Sequence, residues 1–589
     1  MNIKVQNKIN KSIPITFNIR LLALTLAALV TSACNQSNIK TQQENPKQAE
    51  VIAHDQYEKT NVKHVLPVEQ VAELVMSPTI KGSSLSRRSL IIPRHLSSES
   101  FLIPAFIDSD LDMIQTDINN ENYLTSLQNP VKQVNIDPVS TFSIDADTGS
   151  YSNSRRLLNR GQLPPSDAVR EEAFINYFNY NYRGPTETTS PFNVHTEIGN
   201  APWNKQRQLL KIGIKGFEIE KTDLKAANLV FLLDVSGSMS APDKLPLLKT
   251  SLTMLTKQLD ENDSVAIVVY AGAAGVVLPA TAGNERLAIT TALNQLEAGG
   301  STNGAQGIEL AYQIAQKNFK EEGVNRVILA TDGDFNVGIH SIDKLKALIA
   351  KKRETGIALT TLGFGQGNYN DGLMEQLANV GNGQHAYIDN LNEARKVLVD
   401  ELSSTLQVIA KDVKIQVEFN PQHVAEYRLI GYQNRLLANE DFNNDQVDAA
   451  ELGAGHTVTA LYEITLVGSE SKQIDELRYQ DKKLSQSDKI NSNISELAFV
   501  KIRYKQPNSD DSQLLSQAVI MPMDHAQTSD DFKFASAVAG FAQLLKGAKY
   551  TGQWQYEDCA NLAQQNKGDD LFGYRAEFIQ LVRTASALQ

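Results

Sequence analysis

Three segments of the sequence place oxygen-bearing side chains directly after an apolar run or within a glycine-rich loop. These side chains are Asp234, Ser236 and Ser238 in "FLLDVSGSMS", Thr302 in "GGSTNGAQG" and Asp332 in "LATDGDFN". Carboxylate and hydroxyl oxygens are hard ligands, which suit a small divalent ion such as Mg²⁺. Because only two of the side chains are carboxylates, such an ion would stay electrophilic and open to an oxygen from outside.

Short apolar strands alternate with amphipathic helices between residues 225 and 405. This alternation predicts a mostly parallel sheet with helices on both faces, that is, a doubly wound α/β domain. The runs "NLVFLL" (228–233), "RVILAT" (326–331) and "IALTTLGF" (357–364) are almost continuously apolar, as strands buried on both faces must be. Ligands of open α/β sheets lie beyond the C-terminal ends of the strands. We therefore expect the three polar segments to meet at one edge of the sheet.

The order Asp234-x-Ser236-x-Ser238, then Thr302, then Asp332 in "TDGD" is similar to the metal-ion-dependent adhesion site of von Willebrand factor type A (VWA) domains. The resemblance covers roughly residues 225–405. It implies that these side chains hold Mg²⁺ or Mn²⁺, directly or through water. It also implies a protein or peptide partner whose acidic side chain completes the coordination. The flanks "STFSIDADTGSYSNSRRLLNRGQLPP" and "GAGHTVTALYEI" resemble those of bacterial lipoproteins that contain a VWA domain.

Segments with alternating apolar and polar residues lie on both sides of this domain. They are 192–199 and 209–217 before it, and 413–420, 456–468, 496–505 and 514–521 after it. Such alternation indicates half-buried antiparallel strands. We therefore expect the doubly wound α/β domain to be inserted in, or flanked by, an antiparallel β-sandwich, with helices at the C-terminus.

The N-terminus predicts export from the cytoplasm. A basic leader, the apolar run "LLALTLAALV" (21–30) and the small residues of "TSAC" (31–34) form a secretory signal. Cys34 resembles the lipidated cysteine of a bacterial lipoprotein, although Thr31 stands where such signals usually have Leu. A plain secretory peptide with an incidental cysteine is the alternative. With lipid on Cys34, Asn35 favours the outer membrane of a Gram-negative bacterium, by resemblance to enterobacterial sorting.

These patterns divide the chain into six regions. They are a lipoprotein signal peptide (1–34), a flexible spacer (35–135), an N-terminal flanking region with helices and strands (136–224), the VWA domain (225–405), a β-rich domain (406–525) and a C-terminal helical segment (526–589).

Charge and motif content narrow the possible functions. The net charge of −12 argues against a nucleic-acid partner, which would need a basic face. The preferred hypothesis is a cell-envelope protein that binds a protein or peptide ligand through the metal. The alternatives are a scaffold of an envelope complex with a structural metal, and a metal-dependent hydrolase. No general base accompanies the metal residues in a convincing position, so the sequence favours a binding protein over an enzyme.

Overall fold

The computed structural model describes residues 120–125, 127–187, 190–301, 304–333, 342–475, 495–522 and 527–589. All of them belong to the compact unit Asp110–Gln589. The predicted signal peptide with Cys34, most of the predicted spacer, and Thr302 lie outside the described residues. Within the described part of the chain, no helix is both long and apolar enough to cross a bilayer.

The chain before the α/β domain contains short strands and helices. They are β1 (Lys132–Gln133), β2 (Val139–Ser143), α1 (Gly149–Asn159), α2 (Glu171–Asn176), β3 (Phe192–Ala201) and β4 (Asn204–Gly216). A 3₁₀ turn (Ser166–Ala168) precedes α2, and the extended residues Val169 and Arg170 separate the two.

The α/β domain follows the predicted alternation of strands and helices closely. Its elements are β5 (Ala227–Asp234), α3 (Leu245–Thr256), β6 (Ser264–Tyr270), β7 (Ala274–Ala282), α4 (Arg286–Asn294), α5 (Gly304–Lys317), β8 (Val324–Thr331), α6 (Ile342–Arg353), β9 (Ala358–Phe364), α7 (Asp371–Val380), β10 (His385–Ile388), α8 (Leu391–Arg395) and α9 (Leu402–Leu406). A π-helical turn at Lys396–Asp400 separates α8 from α9.

The sheet of this domain has the strand order β10-β9-β8-β5-β6-β7. Every pair is parallel except β6 with β7. The chain proceeds from β5 to β6 on one side and later returns to β8 on the other, so the topological switch point lies beside β5. The doubly wound, mostly parallel fold is therefore confirmed, and the C-terminal ends of β5 and β8 flank the position where such folds bind ligands.

The two faces of the sheet are both buried, as the continuous apolar strands predict. Phe231 of β5 packs in one core with Leu248 of α3, and Leu232 packs in the other core with Ile308 of α5. Since alternate residues of β5 enter opposite cores, no residue in the strand can be moved without loss of packing. The strand is a rigid support for the residues at its end.

The chain after the α/β domain returns to the β-structure that precedes it. Its elements are β11 (Val408–Phe419), β12 (Val424–Ile430), β13 (Leu452–Gly453), β14 (Thr457–Leu466), β15 (Glu496–Lys505), β16 (Ser512–Ile520), α10 (Asp530–Leu545), α11 (Tyr556–Gln565) and α12 (Tyr574–Ala587). One sheet has the order β1-β12-β14-β4-β3, and the other has β13-β11-β15-β16 with β2 on β11. Strands from before and after the α/β domain thus pair with each other, and side chains of both sheets share one buried core. This confirms a sandwich with that domain inserted.

The C-terminal helices cover a separate aromatic core together with α1 and α2. Tyr177 and Phe178 of the N-terminal flank lie buried there with Phe534, Phe541 and Phe578.

Residues 120–125 and 127–135, which fall within the range expected to be spacer, are attached to the globular body. Lys132 and Gln133 pair with β12, and Asn120 N donates to Gly367 O over 2.8 Å. The Arg156 guanidinium lies 2.8 Å from the Glu121 carboxylate.

Candidate metal centre

Asp234 ends β5 as a fully buried carboxylate that accepts several hydrogen bonds. Thr331 Oγ1 donates to Asp234 Oδ2 over 2.9 Å, and the Tyr270 hydroxyl donates to the same oxygen over 3.3 Å. The Ser236 backbone N–H donates to Oδ1 over 2.9 Å. Thr331 and Tyr270 end the two strands that pair with β5, so the sheet itself fixes the carboxylate.

The two serines of the motif lie together in the turn that follows. Ser236 Oγ is 3.0 Å from Ser238 Oγ, with Ser236 buried and Ser238 half-buried. The Gly237 N–H donates to Gly300 O over 3.1 Å, which holds the start of the glycine-rich loop against this turn. That loop leads directly to Thr302, which is outside the described residues, so its predicted role stays a prediction.

Asp332 is fully buried at the end of β8. Lys244 Nζ donates to Asp332 Oδ2 over 2.8 Å. The next residue, Gly333, has φ +90° and lies so close to the following loop that an added Cβ would be 2.5 Å from Asn370 N. Only glycine fits this turn, and the turn sets the direction of the Asp332 backbone.

Burial, together with the negative charge of Asp332, raises the pKa of Asp234 to about 6, although hydrogen bonds from Ser236 and Thr331 oppose the shift. Two carboxylates that repel each other in a buried place favour a bound cation. Carboxylate and hydroxyl oxygens are also the donors that Mg²⁺ and Mn²⁺ prefer. The described residues therefore fit a small divalent ion.

The structure brings Asp234, Ser236 and Ser238 into one hydrogen-bonded group and connects Asp332 to it through Thr331. Sequence reasoning missed Lys244. A single lysine in the loop "SAPDKLPLL" shows no pattern that would connect it with a carboxylate 88 residues away. Thr331 could have been noticed, because a polar residue that ends an apolar strand beside the metal segment needs a partner.

A second acidic group, also missed from the sequence, lies elsewhere. Ligand oxygens of Asp145, Asp147 and Glu375 lie within 4.8 Å of one another. Arg435 forms ion pairs with two of these carboxylates. Its Nε is 3.0 Å from Asp145 Oδ2, and its Nη2 is 3.3 Å from Asp147 Oδ2. Burial, with the charge of Asp145, raises the pKa of Asp147 to about 7 although Arg435 opposes this. We interpret the group as a buried ion-pair network.

Family comparisons agree with this architecture. The family model described as von Willebrand factor type A domain matches residues 228–401. A model described as von Willebrand factor matches residues 117–211, and one described as "Uncharacterized protein YfbK, C-terminal" matches residues 404–588.

Individual proteins extend the likeness to most of the chain. YfbK of Escherichia coli (strain K12), described as uncharacterized, is 48% identical over 467 residues, which cover 78% of this chain and 80% of YfbK. The uncharacterized protein sll0103 of Synechocystis sp. is 26% identical over 324 residues, 55% of this chain and 71% of that protein. A solved von Willebrand factor type A structure from Catenulispora acidiphila is 14% identical, covers 69% of this chain and 91% of its own, and has a TM-score of 0.38. On the extent and identity of the match to YfbK, with the VWA match over the α/β domain, the chain belongs to the YfbK family of VWA-domain proteins.

Proposed function

We propose that this chain is a lipid-anchored protein of the cell envelope whose VWA domain binds a protein or peptide ligand through a divalent metal ion. Mg²⁺ or Mn²⁺ would be held by Asp234, Ser236, Ser238, Thr302 and Asp332, and a carboxylate of the ligand would complete the coordination. The observation that carries the proposal is the turn after β5, where the Ser236 backbone N–H donates to the Asp234 carboxylate and the hydroxyls of Ser236 and Ser238 lie 3.0 Å apart.

The chemistry of the donors supports binding of an acidic ligand. Hydroxyl oxygens coordinate without adding charge, so a divalent ion at this place keeps its attraction for another anionic oxygen. Asp234 and Asp332 are both fully buried, and electrostatic attraction is stronger where water is excluded. A carboxylate from outside would therefore gain more here than at an exposed ion.

The anchor is proposed from the sequence, with lipid on Cys34 and the outer membrane of a Gram-negative bacterium as the location. The Cys34→Ser variant should leave the membrane fraction and appear with the soluble envelope proteins. Fractionation of cells, with mass spectrometry of the mature N-terminus, measures this directly. A Cys34→Ser protein that stays with the membrane would contradict the proposed anchor. It would not bear on the proposed metal site.

Capture from an envelope extract tests the metal-dependent binding. The purified wild type should retain a partner in Mg²⁺ and release it in EDTA, and Asp234→Ala should retain nothing. Asp223→Ala is the matched control, because it removes the same charge from an exposed position near the start of the α/β domain. Capture of the same partner by Asp234→Ala and by the wild type to an equal extent would contradict the proposal.

The other hypotheses predict different outcomes of the same experiment. Capture that is unchanged in EDTA would favour a scaffold whose metal only stabilises loops. Turnover of a phosphoester or a peptide by the purified protein, lost in Asp234→Ala, would favour a metal-dependent hydrolase.

A further inference from the structure

A buried lysine lies directly against one of the proposed metal ligands. Lys244 Nζ is 2.8 Å from Asp332 Oδ2, and only 8% of the lysine side chain and 1% of the aspartate side chain are exposed. A buried ammonium is costly unless it is paired, so this contact is the reason that the lysine is tolerated there.

The position of Lys244 along the chain gives no other reason for a charge. Lys244 immediately precedes α3, which begins at Leu245. A cation at the N-terminus of a helix is disfavoured by the helix dipole. Ser, Thr or Asp at this position would cap the helix better. The lysine therefore does not stabilise the helix, and its contact with Asp332 explains its presence.

The lysine side chain is also held in place. Gly365, with φ +73°, lies against its aliphatic carbons, and a Cβ added to Gly365 would overlap Cγ and Cε of Lys244. The aliphatic chain is therefore packed against Gly365 in the position from which its ammonium contacts Asp332.

We propose that Lys244 is a fixed counter-ion of the metal site. Its positive charge weakens binding of the divalent ion when no acidic ligand is present. The two negative charges of ionised Asp234 and Asp332 would balance the two positive charges of the ion. The additional charge of Lys244 would then give the metal-loaded site a net charge of about +1. A carboxylate of the ligand would neutralise that charge, so metal and acidic ligand would bind together more readily than metal alone. The inference rests on the proposed function, because it concerns the same metal.

Mn²⁺ affinity of the purified protein, measured by titration calorimetry, tests this proposal. Lys244→Met removes the charge and keeps most of the aliphatic chain, and we expect it to bind Mn²⁺ about tenfold more tightly than the wild type, because repulsion between two cations in a buried place is removed. Lys249→Met is the matched control, since Lys249 lies in α3 and its ammonium donates to the backbone oxygen of Asn294 and not to a carboxylate. Its Mn²⁺ affinity should equal that of the wild type.

The outcomes separate this proposal from the proposed function. A wild type that binds no Mn²⁺ would refute the metal-dependent function itself. A wild type that binds Mn²⁺, with Lys244→Met equal to it or weaker, would overturn the counter-ion role alone. Lys244→Gln, which keeps a hydrogen-bond donor for Asp332, repeats the test if the methionine variant does not fold by circular dichroism, with the same expected gain in affinity.

Discussion

At the scale of single residues, burial makes the ionised form of Asp234 oppose folding, and the same burial would favour a bound cation. Burial raises the pKa of this carboxyl to about 6, above its ordinary value near 4. In the metal-free protein, the stability that this group contributes is full below about pH 4 and is lost as the pH rises through about 6. A bound cation would offset that loss by stabilising the ionised form.

The pKa of Asp234 sets the expected pH dependence of metal binding. Metal binding needs the ionised carboxyl, so protons compete with the metal below about pH 6. Apparent Mn²⁺ affinity should fall by up to about tenfold for each pH unit below that value and should level off above it. Calorimetry between pH 5 and 8 would show this, and affinity that is flat through pH 6 would exclude Asp234 as a ligand.

At the scale of elements, the strands of the α/β domain could be predicted because both faces of their sheet are buried. "NLVFLL" and "RVILAT" are apolar at nearly every position, which only such strands require. β12 could not be predicted in this way, because it carries Glu426 and Arg428 as buried residues. Arg428 Nη2 lies 2.7 Å from Glu463 Oε2, so a partner distant in sequence permits its burial.

The candidate metal residues could be proposed from the sequence because three local segments contain them, whereas the residues that contact them could not. Asp234 and the serines lie within one turn, and a short motif can describe them. Lys244 and Tyr270 contact the carboxylates through the fold. Contacts between elements leave no pattern in a single sequence, so the sequence could indicate candidate ligands but not the residues that hold them in place.

The turn after β8 gives a prediction at this scale. Gly333→Ala should reduce stability by about 1–3 kcal/mol and weaken Mn²⁺ binding, because it adds backbone strain and a clash with Asn370 N beside Asp332. Gly468→Ala is the control, since Gly468 has φ +88° but nothing near an added Cβ. Denaturant unfolding and calorimetry would compare the two variants. If they weaken Mn²⁺ binding equally, or not at all, the turn does not position the site.

At the scale of the whole molecule, the α/β domain is fixed to the rest of the chain by buried ion pairs. Arg155 of α1 contacts Asp389 and Glu393 of the α/β domain, and also Glu577 of α12. A single guanidinium thus joins three parts of the fold. The sequence could predict that the domain is inserted, but the residues at this junction are too far apart in the chain to be predicted as partners.

Removal of that guanidinium should strongly destabilise the molecule. Arg155→Met would leave the Asp389 and Glu393 carboxylates buried without the guanidinium that balances their charge, and we expect a loss of about 3–5 kcal/mol in the free energy of unfolding. Arg160→Met is the control, because its contact with Asp243 is long, at 3.6 Å, and partly exposed, and its loss should cost less than about 1 kcal/mol. Denaturant unfolding measures both, and equal losses would refute the junction's role.

The central claim is that the residues after β5 and β8 hold a divalent metal ion, and Mn²⁺ titration of the purified protein by calorimetry tests it most directly. The account predicts that the wild type and Asp223→Ala bind one Mn²⁺ per chain. It also predicts that Asp234→Ala binds none while its circular dichroism spectrum remains that of the wild type. Absence of binding by the wild type, or unchanged binding by a folded Asp234→Ala protein, would contradict the claim.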